Sequence, residues 1–167
     1  MNSKGFTLIE LIIAIFILSV AIIGVFSAFS LVAELTSAAS SRLKASFLAQ
    51  EGLEIIRNMR DSNWLQGNGW TDGILIEPCG TTGCEADYRT GMPGELGLTS
   101  YGLGGRLLKI DSYNFYSYDT GQDTKFKRKI TITQPEQDVL RVSVMVMWDE
   151  KNETYSFQAE EYLYNWY

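Results

Sequence analysis

The chain has 167 residues, enough for one domain of ordinary size with an attached element. Its 20 Asp+Glu against 14 Lys+Arg give a net charge of -6, which repels phosphate backbones, so no nucleic-acid partner is expected. Histidine is absent and only two cysteines occur, which excludes imidazole acid–base catalysis, Ser-His-Asp and Cys-His arrangements, and a four-thiolate zinc site within one chain.

The first element is an apolar block. From Phe6 to Ala33 the chain reads FTLIELIIAIFILSVAIIGVFSAFSLVA, with a single charge at Glu10. About twenty apolar residues suffice for a helix to cross a bilayer core. A carboxylate in lipid is costly, and an acid inside such a block marks a functional position by default. A secretory signal peptide and a plain membrane anchor compete with that reading. The apolar run is long for a signal peptide, although small residues follow at Ser37-Ala38-Ala39-Ser40-Ser41. Neither alternative gives a reason for Glu10. Lys4 and the initiator amine precede the block, which favours a cytoplasmic amino terminus and places the remainder outside the cytoplasm.

The helix is expected to continue. No proline occurs before Pro78, and apolar residues recur at Leu35, Ala39, Leu43, Phe47, Leu48, Ile55, Ile56 and Met59. Spacings of three and four predict an amphipathic helix to about Arg60, making an element of roughly 80 Å. Gly24 and Gly52 are expected weak points. Glu54 and Arg57 form a helix-supporting pair, and Arg57 and Arg60 suit the negative pole of the helix. Asp61-Ser62-Asn63 and Gly67 read as a stop.

Residues 62 to 125 hold 12 of the 15 glycines and two of the three prolines, which predicts a loop-rich region. Cys79 and Cys84 fall within it as CGTTGC. Outside the cytoplasm a small disulfide loop is expected, with free thiols or a two-thiolate metal site as the alternatives. Strand patterns begin near Leu107. Tyr113 to Tyr118 is strand-prone, Asp119 to Gln122 is a turn, and Phe126, Arg128, Ile130 and Ile132 alternate with polar residues. Pro135 to Asp138 breaks the run. Leu140, Val142, Val144, Val146 and Trp148 then repeat with period two. After a polar turn at Asp149 to Thr154, a strand returns over Tyr155 to about Leu163. Consecutive strands with short connections imply an antiparallel sheet, one face of which the amphipathic helix can cover.

Chemical constellations are poor. Asp119 and Asp123 could contribute to a calcium site, but their spacing is not an EF-hand and a solvated turn explains them. The run Lys125-Phe126-Lys127-Arg128-Lys129 could touch nucleic acid, or be a strand's solvent face. Tyr162, Tyr164, Trp166 and Tyr167 are expected to pack, whereas an exposed aromatic patch would mark a partner site. No catalytic residue, cofactor or metal site is expected, and the chain reads as non-enzymatic.

Lys4-Gly5-Phe6-Thr7-Leu8-Ile9-Glu10, followed at once by the apolar run, resembles the amino terminus of type IV pilins and pseudopilins. The resemblance implies cleavage after Gly5 by a prepilin peptidase and N-methylation of Phe6. It implies a filament-assembly role for Glu10, with Thr7 beside it, in which the acid pairs with a neighbouring subunit's terminal amine. Many major pilins carry a proline where this chain has Ser27, so the likeness is to minor pilins and minor pseudopilins. Phe47-Leu48-Ala49-Gln50-Glu51-Gly52-Leu53-Glu54 is similar to the helix of minor pilins of the pilus-modification type.

The expected organisation is a leader at 1–5, a transmembrane or filament-core helix at 6–33, its amphipathic continuation at 34–61, and a loop-rich head with an antiparallel sheet at 62–167. The fold class is α+β. The expected function is that of a minor subunit of a type IV pilus-like filament. A minor pseudopilin of a type II secretion system and a single-pass anchored binding domain are the alternatives. Implied partners are other pilin or pseudopilin subunits, the prepilin peptidase, an inner-membrane assembly platform, and membrane lipid before assembly. The implied location is the inner or cytoplasmic membrane, then the filament.

Overall fold

The computed structural model describes Gly5, residues 7–92 and residues 94–166. The architecture is α+β, as the sequence pattern implies. Helix α1 spans Leu8–Gln66. Short strands follow: β1 (Cys84–Glu85), β2 (Thr99–Ser100), β3 (Lys109–Ile110), β4 (Tyr116–Ser117) and β5 (Gln122–Asp123). Three long strands close the chain: β6 (Phe126–Glu136), β7 (Val139–Glu150) and β8 (Glu153–Tyr164). They form an antiparallel sheet in the order β2-β1-β6-β7-β8, beside a small sheet β4-β3-β5. By its contacts the chain divides into two compact units, one ending at Ser41 and the other beginning at Arg42.

In the first unit every described residue from Thr7 to Ser40 is solvent-exposed. This stretch contains the one helical segment among the described residues that is long and apolar enough to cross a membrane. Its hydroxyls are satisfied within the helix: Ser19 Oγ donates to the Ile15 carbonyl (2.7 Å), Ser27 to Ile23 (3.0 Å) and Thr36 to Val32 (2.8 Å). Internal pairing of this kind suits a helix surrounded by lipid or by other apolar helices. Ser27 also keeps the backbone N–H that a proline would remove, so α1 continues through it.

The second unit is built on the contact between the last part of α1 and the sheet. Ala45, Leu48, Ala49, Ile55 and Ile56 are buried, at spacings of three and four. Against them lie Ile130 and Ile132 from β6 and Val142, Val144 and Val146 from β7. Leu35, Ala39, Leu43 and Phe47 were expected on the packed face but are exposed. Small residues share that face with Leu48, Ile55 and Ile56. Ala45, Ala49 and Gly52 let the sheet approach the helix backbone, and a Cβ built on Gly52 would stand 2.9 Å from Val144 Cγ1. Gly52 is therefore a place of close approach, and the helix passes through it without interruption.

Arg128 lies on the inward face of β6 between Phe126 and Ile130 and has no solvent exposure. Its guanidinium donates to the Leu48 carbonyl at 2.9 Å and the Ala86 carbonyl at 2.5 Å, and stands 3.3 Å from a Glu51 carboxylate oxygen. The basic run is thus not one strand's solvent face: its alternation sends Arg128 inward, while Lys125 pairs with Glu150. Burial pushes the Tyr118 phenol up, so its hydroxyl stays protonated and donates to the Arg128 carbonyl at 3.2 Å.

Several boundaries differ from the sequence pattern. α1 runs past Arg60 to Gln66 and ends at Gly67, whose φ is 72°. Asn68 N–H donates to the Asn63 carbonyl and Gly67 N–H to the Trp64 carbonyl, a paired closure that a left-handed glycine permits. Arg60 therefore does not sit at the helix end. Strand β6 includes Pro135, with a register irregularity between Thr133 and Glu136. Only Tyr116–Ser117 of the aromatic run is strand, because the Asp111 carboxylate accepts the N–H groups of Tyr113 (2.8 Å) and Phe115 (3.0 Å) and folds a turn there. The β7–β8 hairpin turns on Lys151 and Asn152, both with positive φ, a geometry that matches strand twist.

Cys79 and Cys84 form a disulfide. It sits at the sheet margin, where Cys84 pairs with Ile130 and the Cys79 carbonyl accepts the Ile132 N–H at 3.1 Å. The glycine-rich region is thereby fastened to β6.

The close helix–sheet approach predicts the outcome of two substitutions. Gly52→Leu overfills the seam and destabilises the second unit by about 1–3 kcal/mol. Gly52→Ala lies nearer neutral, because a helix-propensity gain of about 1 kcal/mol offsets the tighter contact. Thermal unfolding of the full chain in detergent measures both. A Leu variant as stable as the native chain would show that the seam has room to spare.

Candidate functional site

Among the sequence-singled positions, the amino-terminal turn of α1 brings two together. Helix α1 begins at Leu8, which makes Thr7 its N-cap and Glu10 its third residue. Thr7 N–H and Thr7 Oγ1 both donate to Glu10 Oε2 at 2.8 Å, and Glu10 N–H donates back to Thr7 Oγ1 at 3.3 Å. This reciprocal arrangement is a capping box, which satisfies two of the helix's orphan donors. The negative carboxylate also sits at the positive end of the helix dipole.

Around this turn the surface is apolar. Leu8, Ile9, Leu11, Ile12 and Ile13 are all exposed, and Phe16 remains 69% exposed one turn further on. A carboxylate within such a surface would face lipid or apolar protein in any environment that covers it. The capping bonds engage Oε2, and an ionised carboxylate offers roughly four acceptor positions. Glu10 therefore has the capacity to receive a cation without giving up its cap.

Gly5 is exposed. Phe6, the expected methylation position, lies outside the described residues, as does Lys4.

The comparisons with known proteins bear on this same end of the chain. Residues 1–26 match the prokaryotic N-terminal methylation motif. That motif is the type IV pilin and pseudopilin signal. It ends at Phe26, inside α1, and leaves the whole second unit unmatched. No curated protein and no solved structure matches the chain.

Other sequence-singled residues fall elsewhere. Cys79 and Cys84 belong to the structural disulfide of the second unit. Asp119 is held by an ion pair with Arg89, which also meets Asp87 at 3.3 Å, and no group of metal-ligating side chains occurs among the described residues. The closing aromatics Tyr162, Tyr164 and Trp166 were expected to pack, yet they are exposed. On β8 the pleat turns Tyr162 and Tyr164 away from the core while Leu163 points into it. Tyr167 lies outside the described residues.

Sequence reasoning did not single out Trp64 and Trp70. With Trp166 and Arg60 they line one cleft, in which the Trp64 and Trp166 ring centres are 6.2 Å apart. The available signal was NWLQGNGW at residues 63–70, where two tryptophans flank a turn rich in glycine and amides.

The capping box predicts a local effect. Thr7→Ala removes the side-chain acceptor and weakens the cap, so amide hydrogens in the first turn exchange about fivefold faster in detergent micelles. Exchange in the second unit stays unchanged. Equal first-turn protection in both proteins would show that the cap does not hold this turn.

Proposed function

We propose that the chain is a non-enzymatic minor subunit of a type IV pilus-like filament. A prepilin peptidase removes residues 1–5, Phe6 becomes the methylated first residue, and assembly proceeds through the N-terminal helix. The observation that carries this reading is the methylation motif at residues 1–26, set directly on a helix whose apolar side chains are exposed on every side. Such a surface needs lipid first and other helices afterwards. Before assembly the helix spans the inner or cytoplasmic membrane, and an assembly platform there transfers it to the filament.

The chemistry at Glu10 supports the same reading. A carboxylate in a low-dielectric helix bundle is tolerated when an opposite charge meets it. Cleavage after Gly5 creates a new amine on Phe6, and the amine of a neighbouring subunit supplies that charge. Thr7 keeps the acid and the helix start in register. Ser27 favours a minor over a major subunit, because its intact backbone N–H leaves α1 unbroken. A minor pseudopilin of a type II secretion system would use the same processed helix. A single-pass anchored binding domain would have no use for cleavage at Gly5.

Intact-mass measurement of the membrane-extracted protein, with a prepilin peptidase co-expressed, tests the processing step. The expected product lacks residues 1–5 and carries one added methyl group. Retention of the full-length mass sinks the proposal.

A second experiment separates capping from charge. Glutamine at the third helical position still completes a capping box but carries no charge. Glu10→Gln therefore keeps cleavage and membrane insertion. Its fraction in sheared filaments, relative to membranes, falls by more than about tenfold, the size expected when one member of a buried charge pair is removed. Native-level incorporation would show that the acid acts only as a cap.

A further inference from the structure

We propose that the second unit carries a binding site for a neutral oligosaccharide, in the cleft between the end of α1 and the carboxy-terminal segment after β8. This inference is independent of filament assembly and goes beyond it. The cleft has a volume of about 840 Å³, within the range of small-ligand sites. Three of the chain's four tryptophans line it: Trp64, Trp70 and Trp166. Trp166 is 69% exposed, which is unusual for so large an apolar ring, and Leu65 beside it is 89% exposed.

The lining chemistry selects the ligand. An indole face carries negative quadrupolar charge, and the C–H face of a pyranose ring is its electropositive complement. Sugar hydroxyls then need donors and acceptors at the ring edge, which Asp61, Asn68 and Asn165 offer. Each of the three already makes one bond, that of Asn68 running from Nδ2 to Gln66 Oε1 at 3.3 Å. Asp61 Oδ1 accepts from Arg60 Nε at 2.9 Å, and Asn165 Nδ2 donates to Asp138 Oδ1 at 3.1 Å. Preorganised polar groups lose little freedom on binding.

Two other ligand chemistries fit poorly. Aromatic cages also bind quaternary ammonium groups. Here the cation's seat is already taken: Arg60 is 4% exposed, and its guanidinium carbon lies 4.5 Å from the Trp64 ring centre and 5.3 Å from that of Trp166. An anionic ligand would need an open cation, but the Arg60 guanidinium is paired with Asp61 at 2.8 Å. The cleft is therefore charge-balanced; Arg60 covers one face of Trp64 and of Trp166, and the stacking surface left to a sugar is the solvent-exposed part of Trp166, with amide and carboxylate groups beside it.

The test uses the full chain in a detergent without a sugar headgroup, titrated separately with trisaccharides of glucose, mannose, galactose and N-acetylglucosamine. Tryptophan fluorescence is the readout. The fourth tryptophan, Trp148, is buried in the core beside Phe126, so the ligand-dependent change comes from the cleft. At least one trisaccharide is expected to saturate with a Kd below about 1 mM, and Trp166→Ala to weaken it by at least about tenfold. Trp166 is exposed enough for its removal to leave the fold intact, and Asn68→Ala provides a second variant at an exposed position with a loss in the same direction. Four outcomes overturn the proposal. They are no saturation by any of the four sugars, saturation that Trp166→Ala leaves unaltered, saturation by tetramethylammonium instead, and self-association that depends on Trp166 and ignores the sugars.

Discussion

The guanidinium of Arg128 is the joint on which the second unit depends. It is fully buried, and it reaches one carbonyl on α1 and one in the loop after β1 while its own backbone sits in β6. Three parts of the chain that are far apart in sequence are thus tied at one point. Charge-assisted hydrogen bonds are stronger than neutral ones, and a buried cation without them would be prohibitive. The small side chains on α1 follow from this requirement. A Cβ on Gly52 would stand 3.2 Å from Arg128 Cδ, so the bare backbone there gives room to the side chain that reaches Leu48.

The glycine-rich region is organised from the same margin. The Cys79–Cys84 disulfide, the pairing of Cys84 with Ile130 and the bond from Ile132 N–H to the Cys79 carbonyl fasten it to β6. Glu85, fully buried, accepts Arg106 Nε at 2.6 Å and Arg106 N–H at 2.7 Å, which pins the chain beyond β2. Leu108 N–H and carbonyl bond to Phe126 and Thr124, which joins the small sheet to the start of β6. A region with few regular hydrogen bonds of its own is thereby held by a few long-range polar contacts.

What was legible in the sequence follows from periodicity. The period-two run from Leu140 to Trp148 is β7, and its inward set is the buried one, because a half-buried strand must alternate. The continuity of α1 was legible from the absence of proline. Its packed face was legible in part: Leu48, Ile55 and Ile56 are buried as expected, and Leu43 and Phe47 are not. Hydropathy favours Leu43 and Phe47, whereas packing favours the small residues that allow close approach, and a hydropathy pattern cannot report backbone distance. The alternation of β6 already set Arg128 on one face with Phe126, Ile130 and Ile132, and that face is the buried one; the carbonyls of Leu48 and Ala86 that make a buried charge possible there were not legible. The short strands β1 to β5 have two residues each, too few for any period to show. Of the amino-terminal site, the residues were legible and the hydrogen bonding between Thr7 and Glu10 was not singled out. The tryptophan cleft depends on residues that only the fold brings together.

In the proposed function Glu10 has two physical tasks with different requirements. As a cap it needs only acceptor oxygens, and Thr7 supplies the donors at 2.8 Å. Those donors are neutral. They solvate the carboxylate without cancelling its charge, and in a low-dielectric surround the residual charge still costs far more than it does in water. A glutamine would cap the helix without that cost. Retaining a full charge at the one acidic position of an otherwise apolar block therefore makes sense where a cation arrives late, after the helix start is already formed. In the proposed filament that cation is the amine created by cleavage before Phe6. On that proposal the cap holds the acid at the helix start in the unassembled chain, and assembly supplies the counter-charge that the cap cannot.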